Sequence, residues 1–207
     1  MGRSISIACI AACAAAAASP TAPPSTAMTA SPSSTFAVAM IIAPDKPRDE
    51  EFKIPCARFT TSQCAVTVFS TTTKPVTGMM GGVFTPDKLL SALDVAAFDA
   101  VVFVGGSGAQ EYIANTQCHA LCTNAVAQKK VLAAICIAPA ILARAGVLKG
   151  KQATVWEGAK DHLAAGGATF VATPVVTDGL IVTANGPQSA DAFATSVLAA
   201  LKARAAK

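Results

Sequence analysis

With 207 residues, 53% of them hydrophobic, the chain has material for one core-forming domain plus an extension, which excludes a wholly disordered protein. A formal charge of +4, only 5% aromatics and no basic stripe interleaved with aromatic residues give nucleic-acid binding no support. Seven cysteines, an odd set at positions 9, 13, 56, 64, 118, 122 and 136, exclude the dense framework of a small disulfide-stapled domain and are read as reduced thiols.

Residues 1–34 are low in complexity: one charge at Arg3, an Ala-rich run from Ile5 to Ala18, then Pro, Ser, Thr and Ala without periodicity. They form a leader, with the folded domain over 35–207. The run with small residues before Ser19 has the layout of a secretory signal peptide, which makes secretion the expectation. Met1-Gly2-Arg3-Ser4-Ile5-Ser6 also fits N-myristoylation, with Cys9 and Cys13 open to a second acyl chain; membrane contact is expected only in that case. A disordered leader on a cytoplasmic protein, or initiation at Met28, is the third alternative. The run is too short and too Ala-rich for a transmembrane span.

The folded part opens with Phe36 to Ala43, an apolar run like a central parallel strand. Asp45 to Pro55 carries an acidic turn into a helix ending near Thr60, and Ala65 to Ser70 is the second strand. The stretch TTTKPVTGMMGG reads as turn chemistry, and Thr85 to Leu93 as a further connection. Asp99 to Val104 is a strand, Gln117 to Gln128 an amphipathic helix, Val131 to Ile135 a five-residue buried strand, and Pro139 to Ala145 a helix closed by Gly146. A strand at Ala153 to Trp156, a helix near Ala159 to Ala165, a hairpin from Val175 to Val182 turned by Asp178-Gly179, and a last helix from Gln188 to Ala205 complete the chain. This alternation predicts an α/β three-layer sandwich around a mostly parallel sheet, with ligands at the carboxyl ends of the strands.

Cys136 falls between a buried strand and a helix, on a sharp turn at that carboxyl edge. A helix N-terminus favours thiolate and lowers a cysteine pKa below its free value of about 8.5; the alternative is a thiol that simply packs as a small hydrophobe. Gly105-Gly106, after a strand, can bring backbone N–H groups close to a developing oxyanion, and with the N–H of Ile137 they make an oxyanion hole. The GGSG stretch lacks the ending of a phosphate loop and the glycine spacing of a dinucleotide fingerprint, so no cofactor is expected. Cys118-His119-x-x-Cys122 sets two thiols on one helix face without closing a tetrahedral site, so no metal is expected either. Glu51, beside Asp49 and Glu50, is on local grounds an acid favourable to a helix N-terminus.

The motif A-x-C-x-A-P at Ala134 to Pro139, then AGVLKGKQAT at Ala145 to Thr154, resembles the ThiJ/PfpI superfamily, which includes the Parkinson disease protein deglycase and the PfpI-type peptidases. RDEEFKIP at Arg48 to Pro55, VFVGGSGAQEY at Val102 to Tyr112 and VTDGLIVTANGP at Val176 to Pro187 fall in the family's order. The resemblance implies a flavodoxin-like, class I glutaminase amidotransferase-like fold, with Cys136 as nucleophile and Glu51 hydrogen-bonded to it. It also implies a homodimer and thiol chemistry on small reactive carbonyls of the glyoxalase III or deglycase kind. Glu111 resembles the acid of peptidase assemblies, Trp156 stands where the deglycase branch has a histidine, and Asn185 and Pro187 are accessory positions. The peptidase branch has a histidine directly after its cysteine; here that position is Ile137, and His119 and His162 are left on predicted helices. The implied function is therefore a carbonyl-acting cysteine enzyme. A redox-responsive thiol protein is the alternative, and a peptidase or amidase a third.

Overall fold

Short apolar runs that alternate with helices dictate the layers. In the computed structural model, which describes residues 36–206, the elements run β1 (Ala37–Ile41), α1 (Asp49–Thr61), β2 (Ala65–Ser70), β3 (Val76–Thr77), β4 (Val83–Phe84), β5 (Lys88–Leu89), β6 (Ala100–Phe103), α2 (Thr116–Ala127), β7 (Val131–Ile135), α3 (Pro139–Arg144), β8 (Gln152–Ala153), α4 (Lys160–Ala165), β9 (Thr169–Phe170), β10 (Val175–Asp178), β11 (Ile181–Ala184) and α5 (Ala190–Ala205). The leader expected over residues 1–34, with Cys9 and Cys13, lies outside the described residues.

The main sheet has seven strands in the order β10-β11-β7-β6-β1-β2-β5. All neighbours are parallel except β10 and β11, which form the antiparallel hairpin expected around Gly179. Strand side chains alternate between two apolar layers. Val131, Ala133 and Ile135 of β7 face Phe59 of α1 and Phe193, Val197 and Leu201 of α5. Leu132 and Ala134 face Leu121 and Cys122 of α2, Ile141 of α3 and Leu163 of α4. Phe59, Phe193 and Ile141 are fully buried, and each such side chain contributes about 1.5–3 kcal/mol. The predicted three-layer α/β sandwich is the observed one.

Three local expectations are corrected. The segment Ala153 to Trp156 is a strand only at Gln152–Ala153, paired with β9. Trp156 leaves the strand because its N–H donates to the Cys136 carbonyl at 2.8 Å, and a 3-10 turn over Glu157–Ala159 follows. The stretch read as turn chemistry holds the hairpin β3–β4. Its loop is held from outside: the buried Asp49 carboxylate accepts from the N–H of Met80 and of Gly82, each at 2.8 Å. The connection after Thr85 contributes β5 to the sheet edge. Two-residue strands are too short to carry a period, so these elements exist only through their partners.

Four chain segments converge at the carboxyl ends of the parallel strands: the turn from β1 into α1, the glycines after β6, the turn after β7 and the turn after β11. That edge of the sheet holds the site.

Candidate active site

Cys136 follows β7 directly and sits at φ +64°, a left-handed conformation that side chains rarely adopt. The turn is pinned on both sides. The Cys136 N–H donates to the Ala184 carbonyl at 2.9 Å, its carbonyl accepts from Trp156, and the Ala138 N–H donates to the Ile135 carbonyl at 3.1 Å. A strained conformation persists only where the surroundings over-determine it, and here three hydrogen bonds do so. Pro139 takes the first position of α3, where a missing N–H costs nothing.

Glu51 comes from the first turn of α1 and is fully buried. Neither of its carboxyl oxygens has a hydrogen-bond partner of good geometry. Burial pushes its pKa up to about 7, while the Cys136 thiol, the Arg48 charge and the Gly105 N–H pull more weakly the other way. Gly105 explains the approach of acid and thiol: a Cβ built there would lie 2.6 Å from Glu51 Oε2, 2.6 Å from Cys136 Cβ and 2.7 Å from the Ile135 carbonyl oxygen. Only a residue without a side chain lets the two groups flank that point.

The expectation of a thiolate favoured by a helix N-terminus is corrected. With Glu51 ionised, burial first and the Glu51 charge second push the Cys136 thiol up to about 12, against the pull of the Gly106 and Ile137 N–H groups. α3 is six residues long and its N-cap is Ala138; so short a dipole, two residues away, does not offset the desolvation. Cys136 and Glu51 act as one coupled pair. Once Glu51 holds the proton, its repulsion of the sulfur disappears and the two N–H groups face a developing thiolate.

The pair opens into a pocket of about 410 Å³. Of the residues singled out in the sequence, Cys136, Glu51, Gly106, Ile137, Trp156, Asn185 and Pro187 line it. Gly105 does not, and its N–H exerts a weak downward pull on the Glu51 carboxyl. Glu111 is also outside it: the side chain is exposed and accepts from the Thr71 hydroxyl at 3.5 Å, while the neighbouring Gln110 lines the pocket instead. His119 is tied to the Ile113 carbonyl at 2.8 Å and His162 lies exposed on α4, so neither histidine lines the pocket. Cys118 and Cys122 are buried, and among the described residues no group of acids, cysteines and histidines is arranged to hold a metal ion.

The sequence did not single out Arg48 or Met79, which also stand in the wall. Arg48 ends the β1–α1 turn and is bonded twice to Glu50, at 2.8 and 3.2 Å. Met79 rides on the β3–β4 loop, where its sulfur accepts from the Ser107 N–H at 3.4 Å. A charge three residues before Glu51 was the only available hint of the first.

Stoichiometric iodoacetamide near pH 6, where Glu51 holds its proton and no longer repels the sulfur, should label Cys136 first among the five cysteines of the described residues. Cys64, Cys118 and Cys122 are buried, and Cys56, half-buried, is pushed up by desolvation without N–H groups facing its sulfur. Peptide mapping reads the order. Faster labelling of Cys56 would show that the elbow does not activate its thiol.

A model of the DJ-1/PfpI family matches residues 37–200. An uncharacterized protein of Methanocaldococcus jannaschii is 40% identical over 168 residues, which cover 80% of this chain and 82% of that protein. A Pyrococcus abyssi protein named a deglycase is 30% identical over 148 residues, 72% of this chain and 89% of that one. Among solved structures, a ThiJ/PfpI domain protein from Brachyspira murdochii superposes with a TM-score of 0.78 at 30% identity, covering 81% of this chain and 96% of that chain.

Proposed function

Because the chain belongs to the DJ-1/PfpI family, we propose that it is a cysteine-dependent enzyme of the deglycase or glyoxalase III kind, acting on small α-oxoaldehydes at Cys136 with Glu51 as proton shuttle. One observation carries this reading: an unpartnered, buried carboxyl whose pKa is near neutrality shares the elbow with a thiol that two backbone N–H groups face. A group that titrates near the working pH both gives and takes a proton.

In the proposed sequence the Cys136 proton passes to Glu51 and the sulfur attacks the aldehyde carbon. The C–S bond forms as the carbonyl π pair moves to oxygen, which takes the proton from Glu51 to give a hemithioacetal. In this scheme the Gly106 and Ile137 N–H groups, which face the sulfur, stabilise the charge on that oxygen. Glu51, again ionised, removes the proton from the former aldehyde carbon and returns it to the neighbouring carbonyl carbon, while the hemithioacetal hydroxyl proton passes to the neighbouring carbonyl oxygen. The result is a thioester of a 2-hydroxy acid, and attack by water releases the acid and restores the thiol. Carbonyl substrate and water supply every atom, so the scheme uses no cofactor. Ile54 on α1 and Met80 and Val83 on the β3–β4 hairpin are exposed apolar side chains that a second copy of the chain would cover in a homodimer.

Incubation of the purified protein with methylglyoxal tests the reading. Loss of the aldehyde matched mole for mole by lactate is the expected result. Unchanged methylglyoxal, with peroxide converting Cys136 to the sulfenic and sulfinic acids, would instead favour the redox-responsive thiol.

A further inference from the structure

Trp156 stands between two depressions. On one side is the pocket of Cys136; on the other is a second chamber of about 290 Å³, and Trp156, Asn185 and Gln188 line both. The indole is 48% exposed. It is laid over Gly158, where a Cβ would come within 2.3 Å of the ring, so the glycine lets the indole rest on its own turn as a wall between the chambers.

The second chamber has the chemistry of a hydroxyl-binding site. Thr154 lines it, is 1% exposed, and has an Oγ1 with no hydrogen-bond partner, although its backbone N–H donates to Thr183 Oγ1 at 3.0 Å. A buried hydroxyl without a partner is a loss that a ligand hydroxyl can restore. The Ser189 hydroxyl donates to Asn185 Oδ1 at 2.7 Å, which fixes that amide and leaves its NH2 group as a donor. Gln188 adds a second amide and Glu157 a carboxylate. An exposed aromatic face flanked by amides and a carboxylate complements a polyhydroxylated chain: C–H groups pack on the ring while hydroxyls donate and accept around it. A pocket of about 410 Å³ is already of the size that holds ligands far larger than a three-carbon aldehyde.

We infer that the two chambers form one cleft for a sugar-derived α-oxoaldehyde of five or six carbons, with its carbonyl end at Cys136 and its hydroxylated tail beyond Trp156. The assignment of the carbonyl end rests on the reading proposed above; the tail site does not.

Trp156 is the sole tryptophan of the chain, so its emission reports on the junction directly. The full chain is titrated with D-glucitol, an unreactive six-carbon polyol, and with 1,2-propanediol. In parallel, kcat/KM is measured for 3-deoxyglucosone and for methylglyoxal. The expected result is a saturable change with glucitol and none with propanediol, and a kcat/KM about tenfold higher for the six-carbon aldehyde. Thr154→Val should weaken glucitol binding about fivefold, lower the ratio of kcat/KM for the six-carbon aldehyde over methylglyoxal by about as much, and melt no lower than wild type because the hydroxyl it removes has no partner. Saturable glucitol binding without turnover of either aldehyde would keep the tail site and remove the carbonyl reading. Methylglyoxal turnover with no saturable glucitol response, or with equal kcat/KM for the two aldehydes, would overturn the cleft and leave that reading standing.

Discussion

Glu51→Gln is expected to lower α-oxoaldehyde turnover about a hundredfold or more while making the folded protein more stable at alkaline pH. An amide still donates a hydrogen bond to sulfur but carries no proton back and forth, so both the protonation of the hemithioacetal and the carbon-to-carbon proton transfer lose their shuttle. The stability effect follows from burial. Glu51 ionises at an ordinary value of 4.5 when unfolded and at about 7 when folded. Between those values the folded state holds a proton that the unfolded state has released, so the free energy of unfolding falls as pH rises from 4.5 to 7 and stays low above it. Each tenfold in proton affinity is worth about 1.4 kcal/mol, which sets the cost at on the order of 3 kcal/mol above pH 7. Urea unfolding at about pH 5 and about pH 8 should show that decline in wild type and its absence in Glu51→Gln. Cys136→Ser should abolish turnover, since the hydroxyl is a far weaker nucleophile at the same elbow. Turnover identical in all three proteins would place any activity outside this site.

Gly105→Ala should destabilise the fold by about 3 kcal/mol and remove turnover together. The added carbon has to displace Cys136 Cβ, Glu51 Oε2 and the Ile135 carbonyl oxygen, all within 2.7 Å of where it would sit, and overpacking at rigid backbone typically costs 1–3 kcal/mol. Two of the displaced groups are the chemical pair itself. Gly150→Ala is the control: at φ +73°, with nothing within 4 Å of a Cβ, it carries only the local backbone cost of about 1–2 kcal/mol and should leave turnover untouched. Equal activity of Gly105→Ala and wild type would show that the close approach of acid and thiol is not required.

The trade between function and stability at Glu51 has a counterpart at Asp49, two residues earlier in the same helix. Both carboxylates are buried, yet only one costs stability. Burial raises the Asp49 pKa as well, but the Met80 and Gly82 N–H groups and Lys53 outweigh it and hold that carboxyl below its ordinary value. Asp49 is a charge fully matched by donors that fasten the Met79 loop; Glu51 is left unmatched beside the thiol. Acids two residues apart that look alike in RDEEFKIP thus serve opposite ends, and the difference is the number of N–H groups facing each.

The sequence by itself determined the layers of the fold. Five- and six-residue apolar runs such as Val131–Ile135 can be buried on both faces only in a parallel sheet covered by helices, and Pro139 and Gly146 bound the helix after the elbow whatever surrounds them. Cys136 was legible in its local turn between strand and helix, whereas Glu51 was singled out only through the family resemblance, its local pattern being that of a helix-start acid. The tertiary structure alone decided the rest. Strands of two residues exist only because β2, β4 and β9 offer them partners. Arg48 and Met79 reached the pocket wall through contacts that no spacing encodes, Glu111 turned out to solvent where Gln110 turned in, and Trp156 became a partition because its N–H was claimed by Cys136. The charge state of the thiol also belongs to the fold: a helix start is written in a few residues, but desolvation is the summed exclusion of water by every segment packed around the sulfur.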